Sequence, residues 1–92
     1  MEARRYIVHG RVQGVGFRYY VQAEAQQLDL GGWVRNNMNG TVEVLAVGSR
    51  EQLSRFHERL RSGPRAARVD NIEVFPAEPS PDAKTFRIEG TW

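Results

Sequence analysis

At 92 residues, 40% of them hydrophobic and 26% charged, the chain has the profile of one globular domain, 1–92, with a single modest core. The lack of cysteine excludes disulfides, thiolate catalysis and cysteine-ligated zinc, and no apolar run approaches the ~18 residues that cross a membrane. The net charge of +2 and the pI of 9.5 come from thirteen basic residues, all but Lys84 arginine, scattered among eleven acids rather than clustered as in a nucleic-acid footprint.

The first residues lack the apolar core of a secretion signal, which together with the missing cysteines places the expectation in the cytoplasm. Residues 5–12 then read as a strand with Tyr6, Val8 and Val12 on one face and Gly10 between them. A loop, Gln13-Gly14-Val15-Gly16, leads into a helical pattern over 17–28, where Phe17, Val21, Ala25 and Leu28 form one apolar stripe. Gly31 and Gly32 lie beyond it, where helices commonly stop. Residues 33–37 and 41–47 read as a strand pair around Met38-Asn39-Gly40, since Asn-Gly supplies the positive φ angles of a tight hairpin. Val42, Val44 and Ala46 give the later strand a buried face.

Ser49-Arg50-Glu51-Gln52 matches a capping box and opens a helix to about residue 61, striped by Leu53, Phe56 and Leu60 and stopped by Gly63-Pro64. Residues 69–75 read as a fourth strand. Pro76, Pro79 and Pro81 then predict a stiff loop, and 85–88 a short last strand at a sheet edge. The order strand, helix, strand, strand, helix, strand predicts an α+β fold. It is the ferredoxin-like βαββαβ sandwich, an antiparallel sheet with two helices on one face and a short extra C-terminal edge strand. A domain of this size has little room for an enclosed cavity, so its site should be shallow and built largely from one loop.

The loop of Gln13, Gly14, Val15, Gly16, Phe17 and Arg18 suits that role. Successive amides at a strand-to-helix turn can form an anion-binding nest, and the helix start adds unpaired N–H groups and a positive dipole end. Arg18 supplies planar, bidentate geometry for phosphate, each charge-assisted bond contributing about 1.5–3 kcal/mol. The Gly-Lys-Ser/Thr of nucleotide-hydrolase loops is missing, and Tyr19 stands where the dinucleotide fingerprint needs its third glycine. Read on its own, the segment is equally a tight turn carrying a solvated arginine.

Other chemistry-bearing residues read as structural. His9 and His57 lie far apart with no carboxylate pattern joining them into a metal motif. Glu51 and Arg55 are one helical turn apart, as in a solvated ion pair. Trp33, Tyr19 and Tyr20 read as core or rim packing.

Gly10-Arg11-Val12-Gln13-Gly14-Val15-Gly16-Phe17-Arg18 resembles the first signature of the acylphosphatase family. Gly32-Trp33-Val34-Arg35-Asn36 followed by Asn39-Gly40-Thr41-Val42-Glu43 resembles the second, and Ser62-Gly63-Pro64 with Ala67-Arg68-Val69 a third, less diagnostic stretch. The resemblance runs from Tyr6 to Ile88 and implies the same fold. It implies hydrolysis of an acyl phosphate to a carboxylate and inorganic phosphate, by in-line attack of water and without metal or cofactor. Arg18 matches the catalytic arginine that binds the substrate phosphate, the amides of residues 13–18 the cradle around it, and Asn36 the catalytic asparagine that orients the water. By itself Asn36 is only a polar residue before a hairpin. Asn37 and Asn39 stand where many members carry Thr and Asp, so the hairpin's hydrogen bonding is expected to differ. The implied partner is a small acyl phosphate, with no nucleic acid or membrane, and a monomer fits the size.

One alternative is an acylphosphatase-like domain that binds an anion with little turnover. Another is an RNA-binding module of the same strand–helix order. Its first motif matches Gly14, Gly16, Phe17 and Tyr20 but fails at Gln13, Val15 and Arg18, and it belongs on the third strand rather than after the first.

Overall fold

The computed structural model describes residues 1–79 and 83–90. Strand β1 (Glu2–Arg11) is followed by helix α1 (Phe17–Gln27), strands β2 (Gly31–Asn36) and β3 (Val42–Gly48), helix α2 (Arg50–Ser62), and strands β4 (Arg68–Ala77) and β5 (Phe86–Ile88). The sheet order is β4-β1-β3-β2-β5. The first four strands pair antiparallel, as the ferredoxin-like reading requires, whereas β5 lies parallel to β2, with Gly32 opposite Phe86.

The alternation read from the sequence sets the buried face. Tyr6 and Val8 of β1 lie opposite Val44 and Val42 of β3, and Val44 in turn faces Val34 of β2. These side chains meet Phe17, Val21 and Ala25 of α1 and Leu53, Phe56 and Leu60 of α2 in one fully buried cluster. Burying each large side chain contributes about 1.5–3 kcal/mol, so both helices are held to the same side of the sheet. The Tyr6 ring meets Phe56 edge-on, with centroids 5.7 Å apart. The capping box at α2 is formed: Gln52 N donates to Ser49 Oγ at 3.1 Å and Ser49 N to Gln52 Oε1 at 2.8 Å. Gln52 Nε2 also donates to Leu28 O at 2.8 Å, which joins α2 to the end of α1.

The structure corrects several sequence expectations. Asp29, at φ 58°, takes the left-handed position after α1, which short polar side chains tolerate. Gly31 and Gly32 instead belong to β2, where a Cβ would collide with the backbone of Ala83 and Leu45. Pro76 lies inside β4, opposite Arg4, rather than in a loop; β4 is an edge strand, so no ladder bond is lost on its outer side. Of the prolines assigned to a stiff loop, Pro81 lies outside the described residues. In the β2–β3 hairpin only Gly40 adopts positive φ, 93°, while Asn39 does not. Gly40 N donates to Asn37 O at 3.2 Å and Asn37 N to Thr41 O at 2.8 Å, which closes the expected loop Met38-Asn39-Gly40.

Candidate active site

The strand-to-helix loop and the end of β2 come together on the helix side of the sheet. They enclose a cleft of about 220 Å³ lined by Val12, Gly14, Gly16, Phe17, Arg18, Tyr19 and Asn36. A larger hollow of about 400 Å³ lies beside His57, Arg61 and Asn71, but its residues come from the later turns of α2 and from β4, with no helix start among them.

The loop owes its shape to glycine. Gly14 and Gly16 sit at φ 73° and 76°, with no other positive φ between Gly10 and Asp29. Positive φ on either side of Val15 is the alternation that turns successive amides inward as a nest. An added Cβ at Gly14 or Gly16 meets nothing within 4 Å, so these positions need glycine for backbone conformation and not for space. Val15 packs against the core and Phe17 is buried in it, which fixes the loop from beneath. Gly16 caps α1, whose start has no side-chain cap. Tyr20 N reaches Gly16 O at 3.1 Å, and among the described residues the amides of residues 14–19 have no such acceptor. They are left without acceptors beside a cleft whose lining includes Gly14, Gly16, Phe17, Arg18 and Tyr19.

Arg18 stands in the first turn of α1, half-buried on the cleft wall. Ion pairs among the described residues engage Arg4, Arg5, Arg35, Arg50, Arg55, Arg59, Arg61, Arg68 and Arg87, and Arg18 is in none of them. Asn36 faces it from the last position of β2. Its Oδ1 is buried and has no donor among the described residues. A buried amide oxygen without a partner costs about 1–3 kcal/mol, and such groups are retained where a ligand or water completes them.

The two halves are bolted together by a side chain that sequence reasoning did not single out. Gln13 Nε2 donates to Asn37 O at 2.7 Å and to Thr41 O at 2.9 Å, so the first residue of the loop is tied to the hairpin. The hairpin asparagines are engaged as well. Asn37 Nδ2 donates to Thr41 Oγ1 at 3.1 Å and to Glu43 Oε1 at 3.2 Å, and Asn39 Oδ1 accepts from Thr41 N and Oγ1. Glu43 also accepts from Arg35 and Arg5. Burial alone would raise its pKa, but the bonds from Arg35 and Asn37, the charge of Arg35 and the bond from Arg5 outweigh burial and hold it below the usual value. The sequence signals for Glu43 were its place in the stretch that resembles the family's second signature and its position between Val42 and Val44, pointing away from the core; neither gave it a role.

The match to known proteins settles the family. The family model described as acylphosphatase matches residues 4–88. The chain belongs to the acylphosphatase family. An acylphosphatase of Koribacter versatilis is 59% identical over 91 residues, covering 99% of this chain and 83% of the relative. The crystal structure of the Bacillus subtilis acylphosphatase superposes with a TM-score of 0.92 at 43% identity, covering 97% of this chain and 99% of that one. The T. kodakarensis HypF structure matches at a TM-score of 0.86 and 33% identity, over 97% of this chain but 12% of HypF, so the same unit also forms part of a much longer protein.

The remaining candidates take ordinary places. His9 Nε2 meets Glu73 Oε1 at 2.7 Å on the exposed face, and His57 packs beside Tyr6 with ring centroids 6.0 Å apart. Glu51 and Arg55 form a solvated pair at 3.1 Å. Tyr20 packs on the core and donates to Arg59 O at 2.8 Å. Trp33 carries the Arg35 guanidinium over its ring, while Tyr19 stands 70% exposed at the cleft rim.

Proposed function

We propose that this chain is an acylphosphatase that binds the phosphoryl group of a small acyl phosphate on the 13–18 loop and Arg18, and cleaves it with a water held by Asn36. The observation that carries the reading is one cleft pairing unpaired amides and an arginine with a buried, partnerless amide oxygen. The amides and guanidinium take the equatorial phosphoryl oxygens, whose charge must be neutralised as the P–O bond breaks. Asn36 Oδ1 accepts a proton-bearing edge of the water and aims its lone pair at phosphorus. The water oxygen bonds to phosphorus as the bond to the acyl oxygen breaks, and the electron pair leaves with the carboxylate. That leaving group is stable unprotonated at neutral pH, so no general acid is needed. Among the described residues the cleft lining holds no carboxylate or imidazole side chain, which supports a phosphoryl oxygen as acceptor of the water's proton.

No group of three or more His, Cys, Asp or Glu side chains among the described residues is arranged to hold a metal ion, and the reading needs neither metal nor cofactor. It has a single domain, 1–92, acting as a cytoplasmic monomer on a diffusible substrate, with no nucleic-acid or membrane partner. No helix among the described residues is long and apolar enough to cross a membrane. Residues 13–20 form the loop and the start of α1, not a central strand where RNA-binding modules stack their bases. The test is phosphate release from benzoyl phosphate with excess EDTA. Steady turnover unaffected by the chelator is expected. Phosphate binding without turnover would assign the anion-binding reading instead, and loss of turnover with EDTA would contradict the metal-free step.

A further inference from the structure

Asn36 points to the helix side of the sheet, so its neighbours Arg35 and Asn37 point to the open side. There both reach the same carboxylate oxygen. Arg35 Nη2 donates to Glu43 Oε1 at 3.1 Å and Asn37 Nδ2 to the same atom at 3.2 Å. On the opposite flank Arg5 Nη1 donates to Oε2 at 3.2 Å. Glu43 is 9% exposed, and its backbone lies directly across from Arg35 in the β2–β3 ladder. Asn36 is the last residue of β2, where the ladder gives way to the hairpin. Its backbone pairs with Val42 of β3, while on the other flank the β5 register ends at Val34, and the terminal torsion of an asparagine is intrinsically broad.

We propose that Glu43 is a positioning residue for the hydrolysis. By gripping Arg35 and Asn37 through one oxygen, it fixes the residues on both sides of Asn36 and so the aim of the Asn36 amide at the attacking water. The inference rests on the proposed role of Asn36. Stacking of Arg35 on Trp33, 5.1 Å from guanidinium carbon to ring centroid, stiffens one arm of the clamp. The Thr41 hydroxyl stiffens the other, since it accepts from Asn37 and donates to Asn39. Arg5 serves as an internal control, because it bonds Glu43 from β1 and touches neither flank of Asn36.

The test measures kcat for benzoyl phosphate, competitive inhibition by inorganic phosphate, and Tm, on the full chain and three variants. In Glu43→Gln, kcat is expected to fall about tenfold, because small misplacements of a catalytic group are costly, while the phosphate inhibition constant stays within about twofold. Arg5→Ala should keep kcat within about twofold, because it leaves both arms intact. Asn37→Ala, which removes one arm, should show the same split as Glu43→Gln and decides the matter if Glu43→Gln does not fold. A folded Glu43→Gln or Asn37→Ala protein with parental kcat overturns the clamp. So does a loss of kcat matched by an equal loss of phosphate binding, or an Arg5→Ala defect as large as that of Glu43→Gln. A parent without turnover refutes the acylphosphatase reading itself, and the clamp with it.

Discussion

The loop at residues 13–18 and the hairpin at residues 36–41 face each other across one cleft but are held by different means. The loop is shaped by backbone. Gly14 and Gly16 take positive φ, Val15 and Phe17 anchor it to the core, and its amides are left without acceptors among the described residues. The hairpin is shaped by side chains. Asn37, Asn39, Thr41 and Glu43 satisfy one another, while the buried Oδ1 of Asn36, on the cleft wall, has no partner among the described residues. The first arrangement suits an anion that needs many donors from a small volume. The second suits one polar group that must be aimed. Gln13 joins them, its side chain on the hairpin and its backbone at the mouth of the loop.

Perturbing each half should therefore give a different signature. The largest effect is expected for Arg18→Ala. A lost charge-assisted contact is worth about 1.5–3 kcal/mol, and a bidentate one more, so kcat/KM should fall about a thousandfold and phosphate inhibition should weaken with it. A variant that kept phosphate inhibition would place the anion elsewhere. Gly16→Ala should weaken phosphate inhibition several-fold, because a left-handed alanine costs roughly 1–2 kcal/mol. The fold should survive, since the added methyl meets nothing within 4 Å. A collapsed circular dichroism spectrum would contradict that.

Gln13→Ala removes both hydrogen bonds from the loop to the hairpin, while Asn37 O and Thr41 O keep their backbone donors. It should lower unfolding stability by about 1–2 kcal/mol in a urea titration, with activity reduced only modestly. An unchanged midpoint would show that the bolt between the halves is dispensable. The smallest effect concerns acid. The folded pKa of Glu43 lies below the ordinary 4.5, so its contribution to stability is present above that value and is lost as pH falls through the folded value. Urea midpoints of the parent should drop more steeply below about 4.5 than those of Glu43→Gln. Parallel curves would remove the carboxylate from the account.

The same contrast explains what could be read in the sequence. The helices, the inward-facing strand residues and the capping box at Ser49 were legible because period and caps are local signals. The glycine loop's positive-φ turn into α1 was legible for the same reason, and the proposed anion site rests on those consecutive residues. Asn36 was not: its role depends on an oxygen left unpaired by the tertiary fold, and only the family resemblance pointed to it. The hydrogen bonding of Glu43 and of the Gln13 side chain was missed because it depends on the tertiary fold: Glu43 gathers Arg35, Asn37 and Arg5 from two other strands and the hairpin, and Gln13 reaches Asn37, 24 residues away. The parallel pairing of β5 and the role of Gly31 and Gly32 were hidden likewise, since both depend on how closely backbones approach.

The most direct test of a site with one half for binding and one for aiming is Asn36→Ala. Benzoyl phosphate turnover and inhibition by inorganic phosphate should be measured on the same preparation. Losing a preorganised group of this kind costs about 2.7–4 kcal/mol of barrier, so kcat should fall about 10²–10³-fold while the phosphate inhibition constant is essentially unchanged. Turnover at the parental rate, or an equal loss of phosphate binding, would contradict the account.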